Sequence, residues 1–273
     1  MPITHAGDIN VYWEELGPED APPVFFIGGS GGDLRKKPNV MDGPLAKGAR
    51  VLTYDQRGLG QTDKPDAPYS MAQYADDAAT LMEARGWDKA HVIGVSFGGM
   101  VAQHLAQRHP GKIDRLVLCC TSPGGDGGSS YPLHTVADMS EEERIRFMAP
   151  ISDTRSDEAW QKENADLFTS LIKMQVDAEE PYKDEHRRSE GALWQLEARK
   201  DHDAWDGLAT LPHTTLICGG KYDGIATPET QQRMADRIPN ATLKMYDGGH
   251  LFLLQDRTAW TNILAFLDLD NGK

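Results

Sequence analysis

Gly94-Val95-Ser96-Phe97-Gly98-Gly99 follows the apolar run His91–Val95 and opens a helical pattern, Phe97–Arg108, that His109-Pro110-Gly111 ends. The segment matches G-x-S-x-G between a strand and a helix. The chemistry needs that spacing for a steric reason. A serine placed on a sharp strand-to-helix turn exposes its hydroxyl at the C-terminal edge of a sheet, where ligands of open α/β sheets bind. Glycines two residues before and after let the backbones approach without Cβ clashes. The amide of Phe97, at the helix N-terminus, points to the same place and suits a developing oxyanion.

Outward from this turn the chain alternates strands with helices. Ile9–Leu16 has the polar and apolar alternation of an antiparallel edge strand. Val24–Ile27, Arg50–Tyr54, Ile113–Cys120, Thr214–Cys218 and Ala241–Tyr246 are short apolar runs suited to strands buried on both faces. Ser70 and Gln73 form a capping box for a helix that continues through Met82. Pro228–Arg237 and Arg257–Leu267 read as helices. From Ser122-Pro123-Gly124-Gly125 the texture changes, and between Ala137 and Trp205 there are only helix-forming segments: Glu141–Met148, Ser156–Met174 and Glu185–Arg199. The pattern predicts an α/β fold, a mostly parallel sheet with helices on both faces and a helical cap inserted after the sixth strand. The expected division is a core of residues 1–122 and 207–273 with a cap of residues 123–206.

Two further strand ends carry reactive groups. His250, in Asp247-Gly248-Gly249-His250, is an imidazole near working pH, as a general base for a weak serine nucleophile must be. Asp223, in Gly219-Gly220-Lys221-Tyr222-Asp223, is a carboxylate suited to hold that imidazole in one tautomer. Alone, each is better explained as an ordinary loop or turn residue. Together with Ser96 they occupy three strand ends, in the chain order Ser, Asp, His, which differs from that of the two other serine-triad classes. Gly28-Gly29-Ser30-Gly31-Gly32 follows Val24–Ile27, and the Ser30 amide is the expected second oxyanion donor. The run does not match a nucleotide cradle. No Gly-Lys-Ser/Thr ends the run, and Leu34 stands where G-x-G-x-x-G needs glycine.

The remaining composition narrows the setting. The chain has 273 residues and a net charge of -14, which argues against nucleic-acid and membrane partners and leaves a small-molecule substrate. Oligomeric state is not legible. Cys119, Cys120 and Cys218 lie in apolar runs and read as buried small hydrophobes. No CxxC pair suggests zinc, and Asp201-His202-Asp203 reads as surface rather than a metal site. The N-terminus lacks the features of a signal peptide and no apolar run would span a bilayer, so a cytoplasmic location is expected.

At these residues the sequence resembles the α/β-hydrolase superfamily across Ile9–Cys120 and His213–Leu267. Tyr54-Asp55-Gln56-Arg57-Gly58-Leu59-Gly60 resembles the family's D-x-R-G-x-G turn beneath the active site, and Gly220–Asp223 and Gly249-His250 resemble its acid and base motifs. The resemblance implies an eight-stranded sheet, a helical cap and no cofactor. Ser96-Phe97-Gly98-Gly99-Met100-Val101-Ala102-Gln103 looks closest to the branch of 3-oxoadipate enol-lactonases, small carboxylesterases and C–C bond hydrolases. Ser96 speaks against haloalkane dehalogenases and epoxide hydrolases, which place aspartate there. One departure is Gly28-Gly29 where the family has histidine-glycine, so a looser oxyanion loop is expected.

The expected activity is hydrolysis of a small ester or lactone through an acyl-enzyme on Ser96. Cleavage of a carbon–carbon bond in a 1,3-diketone-like acid on the same triad is the alternative, and a non-catalytic receptor a further one. In the cap, Trp160, Phe168 and Trp194 read as the stripe that packs the helices down, with pocket lining as the alternative. Arg144, Arg146, Arg187 and Arg188 read as solvated charge, although a carboxylated lactone would favour one of them turned inward.

Overall fold

Eight strands form one sheet: β1 (Ile3–Ala6), β2 (Ile9–Leu16), β3 (Pro23–Ile27), β4 (Arg50–Tyr54), β5 (Ala90–Val95), β6 (Ile113–Cys119), β7 (Thr214–Gly220) and β8 (Ala241–Tyr246). The computed structural model describes residues 2–269. In space the strands run β1-β2-β4-β3-β5-β6-β7-β8. β2 pairs antiparallel with β1 and β4, and all other pairings are parallel. β1 had no counterpart in the strand reading. It has four residues and buries only Ala6 among them, so it leaves no periodic signal.

Successive apolar side chains along the central strands go to opposite faces, as the pleat requires. Phe25, Leu52, Val92, Leu116 and Ile217 pack with the helices Met71–Ala84, Phe97–Arg108 and Pro228–Arg237. Val24, Val51, Ile93, Val117 and Leu216 pack with Leu45 and the helix Thr258–Phe266 on the other face. A strand that must satisfy both layers has no polar face, which is why these runs are short and wholly apolar. The capping box at Ser70 and Gln73 forms as expected. All three cysteines are buried and free.

Between β6 and β7 the chain forms the helices Glu141–Ser152, Glu158–Glu163, Ala165–Glu179 and Arg188–Lys200. The expected single helix Ser156–Met174 is two. Asn164 breaks it at φ -112, ψ 31, and its Nδ2 donates to the Trp160 carbonyl at 2.9 Å. Arg188 is not solvated charge. It bonds Asp33, whose side chain is fully buried, at 2.9 Å and Glu179 at 2.9 Å, so the loop after β3 is tied to this helical layer. Arg146 and Arg187 pair with Glu142 and Asp66 nearer the surface.

His202 corrects the surface reading of Asp201-His202-Asp203: it is only 5% exposed. Its Nε2–H donates to the Ser122 carbonyl at 2.9 Å, which leaves Nδ1 to accept from His104 Nε2 at 3.1 Å. His104 lies on the helix Phe97–Arg108, so this pair ties the end of the helix Arg188–Lys200 to a helix that flanks the sheet. Burial pushes the pKa of His104 down to about 4 and that of His202 down to about 3. Both are therefore neutral in the fold, while an unfolded chain protonates them below about 6.5. The unfolded state then binds more protons, so stability falls as the pH drops from about 6.5 toward 4, by at most about 1.4 kcal/mol per pH unit for each histidine. Urea unfolding across that window will show the slope, and His202→Gln will flatten it. An unchanged slope in the variant would contradict the assignment.

Candidate active site

Neighbouring strands β3 and β5 run in parallel, with Ile27 opposite Gly94. Their onward connections go to opposite sides of β3, which opens a crevice at their C-terminal ends. Ser96 stands there at φ 55, ψ -116, a strained conformation for a residue with a side chain. The glycines around it are sterically required. A Cβ on Gly94 would lie 2.4 Å from the Gly98 carbonyl oxygen, and one on Gly98 would lie 2.1 Å from that of Ile27. The Ser96 amide donates to the Cys119 carbonyl at 2.8 Å, which fixes the turn to β6.

The three loops converge. Ser96 Oγ lies 2.9 Å from His250 Nε2, and His250 Nδ1 lies 2.9 Å from Asp223 Oδ2. Asp223 is 2% exposed, and its Oδ1 accepts the amides of Ile225 at 2.8 Å and Ala226 at 3.0 Å. An ionised carboxylate only accepts, so the network assigns the imidazole proton to Nδ1 and leaves Nε2 to accept from the serine hydroxyl. Cys120 lies alongside at φ 40, but burial, helped by the charge of Asp223, pushes its thiol pKa up and keeps it protonated.

Above Ser96 lies the loop after β3. A Cβ on Gly29 would be 3.5 Å from Ser96 Cβ. The amides of Ser30 and Phe97 donate to no acceptor among the described residues. The expected looseness of this loop is corrected. Gln56 Nε2 donates to the Gly28 carbonyl at 2.8 Å, the Gly31 amide donates to Gln195 Oε1 at 3.0 Å, and the Leu34 amide donates to Asp55 Oδ1 at 2.7 Å. Two glutamines and an aspartate do the holding that the absent histidine would share.

The segment 151–154 was not anticipated. Ile151 O accepts the Gly224 amide at 2.9 Å, Ser152 O accepts the His250 amide at 2.6 Å, and the Thr154 amide donates to Tyr222 O at 2.9 Å. Gln255 adds a strut. Its Oε1 accepts the Gly249 amide at 2.8 Å and its Nε2 donates to Asp153 Oδ2 at 3.0 Å. Both the Asp223 loop and the His250 loop thus hang from the end of one helix.

A cavity of about 510 Å³ opens over Ser30 and His250, lined by Leu133, Val136, Met148, Trp160, Phe168 and Leu171 with Arg144 and Gln195. Trp160 and Phe168 therefore do line it, packed edge to face at 6.1 Å, against the reading of all three aromatics as a packing stripe. Trp194 keeps that role, edge-on to Tyr69 at 5.4 Å beneath the Arg187 guanidinium. Gln195 was missed: it shares a buried helical face with Gly191 and Arg199, and a buried polar residue calls for a partner, but nothing in the local sequence marks that face as buried. Gln195→Leu keeps the volume but leaves the Gly31 amide without its acceptor. It should slow covalent labelling of Ser96 by a fluorophosphonate about 10- to 100-fold while the far-UV spectrum is unchanged. Labelling at the wild-type rate would show that the loop does not need this bond.

A family model described as alpha/beta hydrolase fold matches residues 22–256. The chain is 29% identical over 238 residues to the 2-hydroxymuconate semialdehyde hydrolase of Pseudomonas sp. (strain CF600), covering 82% of this chain and 78% of that protein. It is 26% identical over 266 residues to a non-heme chloroperoxidase of Streptomyces lividans, covering 90% and 91%. Among solved structures, the enol-lactonase from Burkholderia xenovorans LB400 superposes with a TM-score of 0.80 at 24% identity, over 98% of this chain and 100% of that one, a likeness of fold. No helix among the described residues is long and apolar enough to cross a membrane. With the family model spanning most of its length, the chain belongs to the alpha/beta hydrolase fold family.

Proposed function

We propose that this hydrolase cleaves a small carboxylic ester or lactone through an acyl-enzyme on Ser96. The observation that carries the reading is the unbroken line Ser96–His250–Asp223, with both contacts at 2.9 Å, opening into a cavity with apolar walls. His250 Nε2 takes the hydroxyl proton as Ser96 Oγ attacks the carbonyl carbon. The carbonyl oxygen becomes anionic, and the amides of Phe97 and Ser30 receive it. Asp223 holds the imidazolium through Nδ1. The imidazolium then gives its proton to the leaving oxygen and the C–O bond breaks. In the second half His250 takes a proton from water, hydroxide adds to the acyl carbon, and Ser96 leaves protonated.

Residues 123–206 act in this reading as the cap that sets substrate size. Trp160, Phe168 and Leu171 suit an apolar acyl or alcohol group, and Arg144 or Gln195 suits one polar substituent. Three unpaired buried thiols fit a reducing, cytoplasmic setting. A second reading, cleavage of a carbon–carbon bond in a 1,3-diketone-like acid, draws on the similarity to the 2-hydroxymuconate semialdehyde hydrolase. The leaving group separates the two.

With p-nitrophenyl acetate and butyrate, wild type should give a burst followed by steady turnover. Ser96→Ala should lose the burst and at least about 10³-fold in kcat. Equal turnover in the two proteins would remove Ser96 from the mechanism. Wild type inert to esters and lactones yet active on a 1,3-diketone acid would transfer the assignment to the second reading.

A further inference from the structure

Arg199 is a buried cation without a counter-charge. It projects from the helix Arg188–Lys200, is only 6% exposed, and forms no ion pair among the described residues. Its Nη2 donates to Ser130 Oγ at 2.6 Å, and its Nε has no acceptor. Burial, with no carboxylate to offset it, pulls its pKa down to about 10. In a chain carrying 42 acidic residues, the lack of one here is a property of the place, not of the composition. Asp203, on the turn that follows, accepts the Trp205 amide with Oδ1 instead. Taking a guanidinium out of water is costly unless an anion meets it.

The space for one is present. A cavity of about 200 Å³ borders Arg199, and none of its lining residues is shared with the cavity over Ser30 and His250. Among the other polar groups that border it, two buried ones have no partner: Ser122 Oγ and His134 Nδ1. His202 also lines it but cannot serve Arg199, because its Nε2–H goes to the Ser122 carbonyl and its Nδ1 faces His104. The walls therefore supply several donors, one of them a planar guanidinium, and no carboxylate.

We propose that this second cavity is an oxyanion site that takes a small carboxylate or phosphate against Arg199, with Ser122, Ser130 and His134 closing on its oxygens. A guanidinium matches the two in-plane oxygens that both chemistries present. Bound there, the anion joins the helix Arg188–Lys200 to the end of β6 and to the Pro123–Ser130 connection. The proposal does not depend on the reaction assigned to Ser96.

Thermal unfolding of the full chain tests it, with sodium phosphate or sodium acetate added at constant ionic strength against sodium chloride. An anion that binds only the folded state raises Tm with concentration according to its affinity. A chloride-independent rise with phosphate identifies a phosphate source, and a rise with acetate identifies a carboxylate source. Arg199→Gln should abolish the rise. No rise with either anion, or the same rise in the variant, overturns the proposal. Should Arg199→Gln fail to fold, His134→Ala keeps the test open. It should raise the anion concentration at half effect about tenfold, the loss of one bond to a charged group. An unchanged midpoint would overturn the proposal as well.

Discussion

The helix Phe97–Arg108 begins closer to β3 than any side chain would permit. A Cβ on Gly98 would overlap the Ile27 carbonyl, and one on Gly99 would lie 2.6 Å from Thr121 Cβ. Only a glycine-lined start lets the helix sit down on two strands at once, and that approach forces Ser96 into its strained turn. The strain costs of order 1–3 kcal/mol, which the packing on either side has to offset. In return the hydroxyl faces outward, the Phe97 amide is left without an intrahelical acceptor, and the loop after β3 falls directly over both. The same contact sets the reach required of His250 and Asp223, each of which has to arrive from a strand further along the sheet.

Much of this was legible because its signals are local. The helices Phe97–Arg108 and Pro228–Arg237 have the ends that the sequence predicts, since breakers and caps act within a few residues. Ser96, Asp223 and His250 were found by type, strand end and order, and their side chains meet in space. What escaped is what depends on distant partners. Gln195 meets Gly31 across 164 residues, and Gln255 meets Asp153 across 102. Nothing near a glutamine announces such a bond. Asn164 divided a helix that propensity alone would continue, and Trp160, Phe168 and Trp194 look alike in sequence although two line a cavity and one packs on Tyr69.

The loop after β3 shows how a family motif can change while its geometry persists. The chain has glycine where the family has histidine, yet the loop is fastened from below by Gln56 and Asp55 and from above by Gln195 and Arg188. Half of that support belongs to the helical layer. The amides of this loop and the walls of the cavity are consequently parts of one assembly, and a change in the helices that alters the walls also acts on the loop.

The carbonyls of Ile151 and Ser152 carry a further consequence. They are the latch by which the helical layer grips the loops of Asp223 and His250, so that edge cannot lift without breaking bonds to both. Elsewhere in the helical layer, the helix Ala165–Glu179 leaves Leu167, Leu171 and Met174 in water, and Leu171 also reaches the cavity. A motion of the helical layer that keeps these two bonds leaves the Asp223 and His250 loops in place.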